Sequence, residues 1–155
     1  MTEGGARQLS LDVPATHAAG RMARRVAHEY LASTGLEGVE LEQAVFVLGE
    51  LLDNAIDHGG GGAARDSSEV EEPARVHLEV ESAGGAWRAA VEDEGDGDPA
   101  VLEAMLGGEG AMPDLDDPRG RGLLLLQAFV DRVRVTAATS GRGVRIEVAR
   151  ERGEG

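Results

Sequence analysis

At 155 residues the chain is the size of one globular domain, and 29 acidic against 15 basic side chains leave a net charge of −14, which disfavours direct nucleic-acid or membrane-surface partners. With neither cysteine nor lysine in the sequence, several chemistries are closed: disulfides, thiolate nucleophiles and metal sites, Walker A loops, eukaryotic-type protein kinases and Schiff bases. No apolar run approaches the roughly 18 residues of a membrane span and no secretory pattern opens the chain, so a soluble cytoplasmic protein without membrane contact is expected.

Gln8 to Val13 alternates Leu9, Leu11 and Val13 with polar neighbours, which predicts a short half-buried strand. Pro14 then opens a helix expected over 15–34, with Ala19, Met22, Ala23, Val26, Tyr30 and Leu31 as its apolar stripe and Gly35 as its stop. Arg21, Arg24, Arg25 and His28 lie mostly off that stripe, either as a solvated face or as a surface for an acidic partner.

From Leu41 the apolar residues Ala44, Val45, Leu48, Leu51, Leu52, Ala55 and Ile56 recur at helical spacing. Glu50, Asn54 and Asp57 fall on the opposite side, and glycine ends the helix. A carboxylate and an amide thus stand one turn apart. From this segment alone, an ordinary amphipathic helix with a solvated polar face is the plainer reading. Residues 59–73, rich in glycine, serine and acid, are expected to form a flexible surface loop. That glycine tract follows a helix C-terminus, whose dipole repels anions, so it is no phosphate cradle.

Val76, Leu78 and Val80, then Trp87, Ala89 and Val91, predict two strands joined by a hairpin at Ala83-Gly84-Gly85. The second runs into Asp93-Glu94-Gly95-Asp96-Gly97, where glycines admit a ligand close to the backbone and one carboxylate can be held against it; an acidic surface turn or a cation site is the plainer reading. A short helix over 99–106 and an acidic segment over 107–118 suit a lid spanning about residues 99–119. Arg119-Gly120-Arg121-Gly122 then feeds an apolar helix over 123–130, offering free N–H groups, a positive dipole end and a guanidinium suited to phosphate. Strands over 132–139 and 143–149, joined through Ser140-Gly141-Arg142, close a domain whose core spans 8–149, and 151–155 is expected to fray.

Three motifs therefore stand in order: E-x-x-x-N on a helix, D-x-G-x-G after a strand, and G-x-G opening a later helix. In that order they resemble the N, G1 and G2 boxes of the gyrase, chaperone and histidine-kinase ATPase superfamily. Within it the chain is similar to the small anti-sigma-factor serine/threonine kinases. The resemblance covers nearly everything from Gln8 to Ala149. It implies an α/β sandwich of two layers with a mixed sheet and helices on one face, and ATP and Mg²⁺ as cofactors. Asn54 would coordinate the metal and help bind ATP, and Glu50 would be the catalytic base. Asp93 would accept a hydrogen bond from the adenine amino group, Gly95 and Gly97 would admit the nucleotide, and Gly120, Arg121 and Gly122 would meet the phosphates. The implied partners are a sigma factor, an anti-anti-sigma (STAS-domain) protein and a second copy in a homodimer. The alternative is a non-catalytic module that sequesters its partner in an ATP-dependent way. Asp98 and Leu124 depart from the family pattern, which often has an aromatic residue at the first position and a glycine at the second.

Overall fold

A computed structural model describes residues 8–59, 74–94, 126–139 and 143–151. Five strands form one sheet: β1 (Gln8–Pro14), β2 (Arg75–Ala83), β3 (Ala86–Asp93), β4 (Arg132–Ala137) and β5 (Val144–Arg150), in the order β1-β2-β3-β5-β4. Two helices, α1 (His17–Ser33) and α2 (Gly38–Asn54), cover one face, and α2 runs on into a π-helical turn over Ala55–Gly59. The α/β class is as expected. Among the described residues, however, the sheet is not mixed: all four pairings are antiparallel. β5 returns from β4 and inserts beside β3, so β3 and β4 share a direction without pairing.

Alternation sorts the strands into two faces. Pairing aligns Leu9, Val80, Ala89, Val148 and Val133 in one row and Leu11, Leu78, Val91, Ile146 and Val135 in the next, under the helices. The other face carries Glu79, Glu81, Arg88, Glu92, Arg134, Arg145 and Glu147. The β2–β3 hairpin turns on Gly84 and Gly85, whose φ of 63° and 88° are what a two-residue primed turn demands.

Some boundaries move. β1 extends through Pro14, and α1 starts at His17 because Thr16 is its N-cap, its Oγ1 accepting the Ala19 N–H at 3.2 Å. Gly35, at φ 106°, does follow the end of α1. The line of α1 that is buried is Gly20, Ala23, Ala27 and Leu31, of which the first three are small and let the helix lie close, whereas Met22 is 65% exposed and outside the stripe. α2 begins at Gly38, and Val47 and Gly49 join its buried face. Leu126 is buried, and Phe46 of α2 meets Phe129 edge-on at 5.5 Å. No helix among the described residues is long and apolar enough to cross a membrane.

Candidate functional site

The last turn of α2 gathers Glu50, Asp53 and Asn54, with Asp57 following on the π turn. Leu48, Leu51, Leu52, Ala55 and Ile56 bury the helix against the sheet and so fix which way this polar group faces. Asn54 is itself only 9% exposed. Among the described residues nothing hydrogen-bonds its side chain. A buried amide left without a partner is costly, by about 1–3 kcal/mol, unless a ligand completes it. The π turn behind it packs on β2 and β3, and π turns concentrate at functional positions because they shift helix register by one residue. His17 at the start of α1 holds that turn through Asp57, Nε2 to Oδ1 at 3.2 Å.

Glu50 is half-buried, and burial followed by the charge of Asp53 raises its pKa, an effect that Arg24 partly offsets. Asp53 is raised too, first by burial and then by Asp57, against Arg24 and His17. The guanidinium of Arg24 reaches both because it lies flat on α2 at Gly49: a Cβ there would stand 2.7 Å from its Cζ and 2.9 Å from its Nε. A carboxylate with a raised pKa can take up a proton, and an amide oxygen that lacks partners can be offered to a hard cation.

Asp93 ends β3 on the core face and is 6% exposed. Its Oδ1 accepts the Val144 N–H at 3.3 Å, and the α-carbon of Gly143 rests on it so closely that a Cβ would lie 2.8 Å from Oδ1. A buried carboxylate at the end of an apolar strand is where a ligand's donor group can be read with little competition from water.

The structure thus brings Glu50 and Asn54 onto one turn and sets Asp93 at the end of a strand against which the following π turn packs. Gly95, Gly97, Gly120, Arg121 and Gly122 lie outside the described residues, as do residues 60–73, the lid segment 99–119, the first three residues of the expected 123–130 helix and the 140–142 turn; of the rest of that helix, Leu126 is helical and 127–129 form a turn and bend. Sequence reasoning missed Arg24 with Gly49, and Gly143 with Thr139 and Arg145. An arginine on an exposed helix face and a glycine in a hairpin carry no sign of what they touch. Two depressions lined by described residues, of about 490 and 590 Å³, open on the outer sheet face. Neither is lined by Glu50 or Asn54, although the larger meets Asp93, and their charges are largely paired with one another, so neither is taken as the site.

Residues 13–148 match the family described as Histidine kinase-like ATPase domain. Among solved structures, the chain is similar to that of the RsbU and RsbW domains of Rv1364c from Mycobacterium tuberculosis, with a TM-score of 0.61 and 20% identity, over 93% of this chain and 32% of that one. The chain therefore spans about a third of that structure's length, and the likeness is one of fold. Among curated protein sequences, none matches significantly.

Proposed function

The chain belongs to the histidine-kinase-like ATPase domain family, and on that premise we propose that it is an anti-sigma regulatory factor that uses ATP and Mg²⁺ to phosphorylate a serine or threonine of an anti-anti-sigma partner. Asn54 holds the metal in this reading: its side-chain oxygen is a hard donor, buried and unpartnered among the described residues, and an ion that keeps several of its waters needs few such ligands. Bound there, Mg²⁺ would neutralise charge on the phosphates. Asp93 takes the adenine amino group. Glu50 accepts the proton as the partner's hydroxyl oxygen bonds to the terminal phosphorus and the bond to the departing ADP oxygen breaks. Gly95, Gly97, Gly120, Arg121 and Gly122 complete the nucleotide's enclosure. The partners proposed with this activity are a sigma factor, a STAS-domain protein and a second copy of the chain.

Glu50 carries the enzyme reading. Its carboxylate sits one turn before Asn54, half-buried and with a raised pKa, a combination that a module using ATP only to set its shape does not need. The test is incubation with labelled ATP, Mg²⁺ and each candidate anti-anti-sigma protein, run beside Glu50→Gln. The expected result is label on the partner with wild type and a rate about 10²- to 10⁴-fold lower with the variant, while ATP affinity stays within a few-fold. Equal rates would remove Glu50 from the mechanism. No labelled partner with either protein would assign the chain to the ATP-dependent binding modules.

A further inference from the structure

A carboxylate that reads one amino group must be aimed, and Asp93 is the last residue of its strand, where a chain end is freest to rotate. Chain alternation offers a remedy. Whatever fixes Glu92 on the outer face also fixes the orientation of Asp93 on the inner one. On the outer face Glu92 accepts from Arg145 Nη1 at 2.5 Å and from the N–H and Oγ1 of Thr139 at 3.2 and 3.1 Å. Arg145 is anchored in turn by Glu147 at 2.6 Å and Glu79 at 3.3 Å, so one guanidinium ties together carboxylates of β2, β3 and β5. On the inner face the Val144 N–H donates to Oδ1 of Asp93, and Gly143 covers the residue's main chain. Gly143 is required twice over: its φ is 100°, and a Cβ would stand 2.7 Å from the Asp93 carbonyl carbon. Both grips come from the same β4–β5 hairpin.

We propose that this hairpin determines the base selectivity of the nucleotide site, with Gly143 and the Val144 amide gripping Asp93 from the core side and Arg145 and Thr139 gripping Glu92 from the outer side. These are positioning residues that act through Asp93. The inference rests on Asp93 as the reader of the adenine amino group and adds what makes that reading selective. A site held to a few tenths of an ångström by its supporting residues discriminates, and one left loose does not. The ligand class that follows is a 6-aminopurine nucleotide, with 6-oxo and 6-unsubstituted purines rejected.

The experiment measures, by calorimetry, the affinities of the full chain for ATP and for purine riboside triphosphate, which lacks the 6-amino group. Wild type is expected to prefer ATP by about 10- to 150-fold, the worth of one charge-assisted hydrogen bond, and Asp93→Asn to lose that preference. Gly143→Ala and Arg145→Met should each reduce it at least about fivefold, with most of the loss in ATP binding. Arg88→Met is the control: Arg88 lies on the same face and pairs with Glu81, and its loss should leave the ratio unchanged. A variant that is merely destabilised loses active molecules for both nucleotides alike, so the ratio separates aim from stability. Should Gly143→Ala fail to fold, Arg145→Met decides. A wild-type preference that Asp93→Asn abolishes but Gly143→Ala and Arg145→Met retain would overturn the role of the hairpin and leave the base reading standing. No preference in wild type would overturn the base reading, and this inference with it.

Discussion

Two groups of carboxylates, one at the end of α2 and one at the end of β3, are treated in opposite ways. At the end of α2, Glu50, Asp53 and Asp57 crowd together with Arg24 as their cationic counterweight and His17 against Asp57, and burial raises the pKa of the first two. At the end of β3, burial acts on Glu92 in the same direction, but hydrogen bonds from Arg145 and Thr139 outweigh it and lower the pKa. Arg145 itself is raised: burial alone would lower it, and the hydrogen bonds to Glu147, Glu92 and Glu79 prevail. The same chemical group is left poised for a proton where donors are scarce and is locked as an anion where donors abound. That contrast divides the labour proposed above between a group that reacts and a group that aims.

Removing the donor side of the contrast should have the largest effect on stability. Arg145→Met leaves three carboxylates facing one another, with Glu92 only 13% exposed at its side chain, and is expected to cost about 2–3 kcal/mol in denaturant unfolding at neutral pH. The pH dependence has a definite sign. A carboxylate whose folded pKa is lowered contributes stability above its unfolded value, here 4.5 for Glu92, and loses it as pH falls through the folded one. Wild type should therefore lose stability on acidification below 4.5 more steeply than Arg145→Met. Parallel pH profiles for the two proteins would show that Arg145 contributes packing alone.

Much of this was legible in the sequence, and the failures have physical causes. The apolar alternation of Val76, Leu78 and Val80 and of Trp87, Ala89 and Val91 placed both strands, because burying one sheet face leaves a period of two. The E-x-x-x-N spacing placed Glu50 and Asn54 on one helical turn. Met22 misled because an apolar residue next to small ones reads as core; the close approach of α1 through Gly20, Ala23 and Ala27 puts the helix contact on the small side chains instead. The all-antiparallel sheet depends on which strand neighbours β3, and local pattern carries no register between distant segments. For the same reason the grip of Gly143 and Arg145 on β3 was invisible. It joins residues about fifty positions apart, and only the fold makes them neighbours.

The amide in the poised cluster gives a smaller effect, read in binding. If the buried side chain of Asn54 is completed by the metal, calorimetry should show ATP binding strengthened by Mg²⁺ in wild type, and Asn54→Ala should remove about tenfold of that gain, near 1.4 kcal/mol. Affinity without Mg²⁺ should barely change. An undiminished Mg²⁺ gain in the variant would place the metal on other ligands and leave Asn54 a helix residue.

The smallest expected effect tests whether the poised end of α2 really opposes folding. Glu50 has its pKa raised by burial and by Asp53, so the stability linked to that shift is fully present below the ordinary value of 4.5 and is lost as pH rises through the folded value. At neutral pH the ionised carboxylate is then a burden on the fold, and Glu50→Gln should be the more stable protein even as it loses phosphotransfer. Because the group is only half-buried, solvent screening and Arg24 hold the gain under about 1 kcal/mol, and it should vanish in melts run below pH 4.5. The size of the gain should also depend on the helix beside it. Gly49→Ala would lift the Arg24 guanidinium off α2, remove the charge that offsets Glu50, and enlarge the benefit of Glu50→Gln in that background. A carboxylate kept where it weakens the fold, next to a glycine that lets a cation moderate it, is what the catalytic role proposed for Glu50 would require. Equal melting temperatures for wild type and Glu50→Gln across the pH range would remove that argument and make the two carboxylate groups alike.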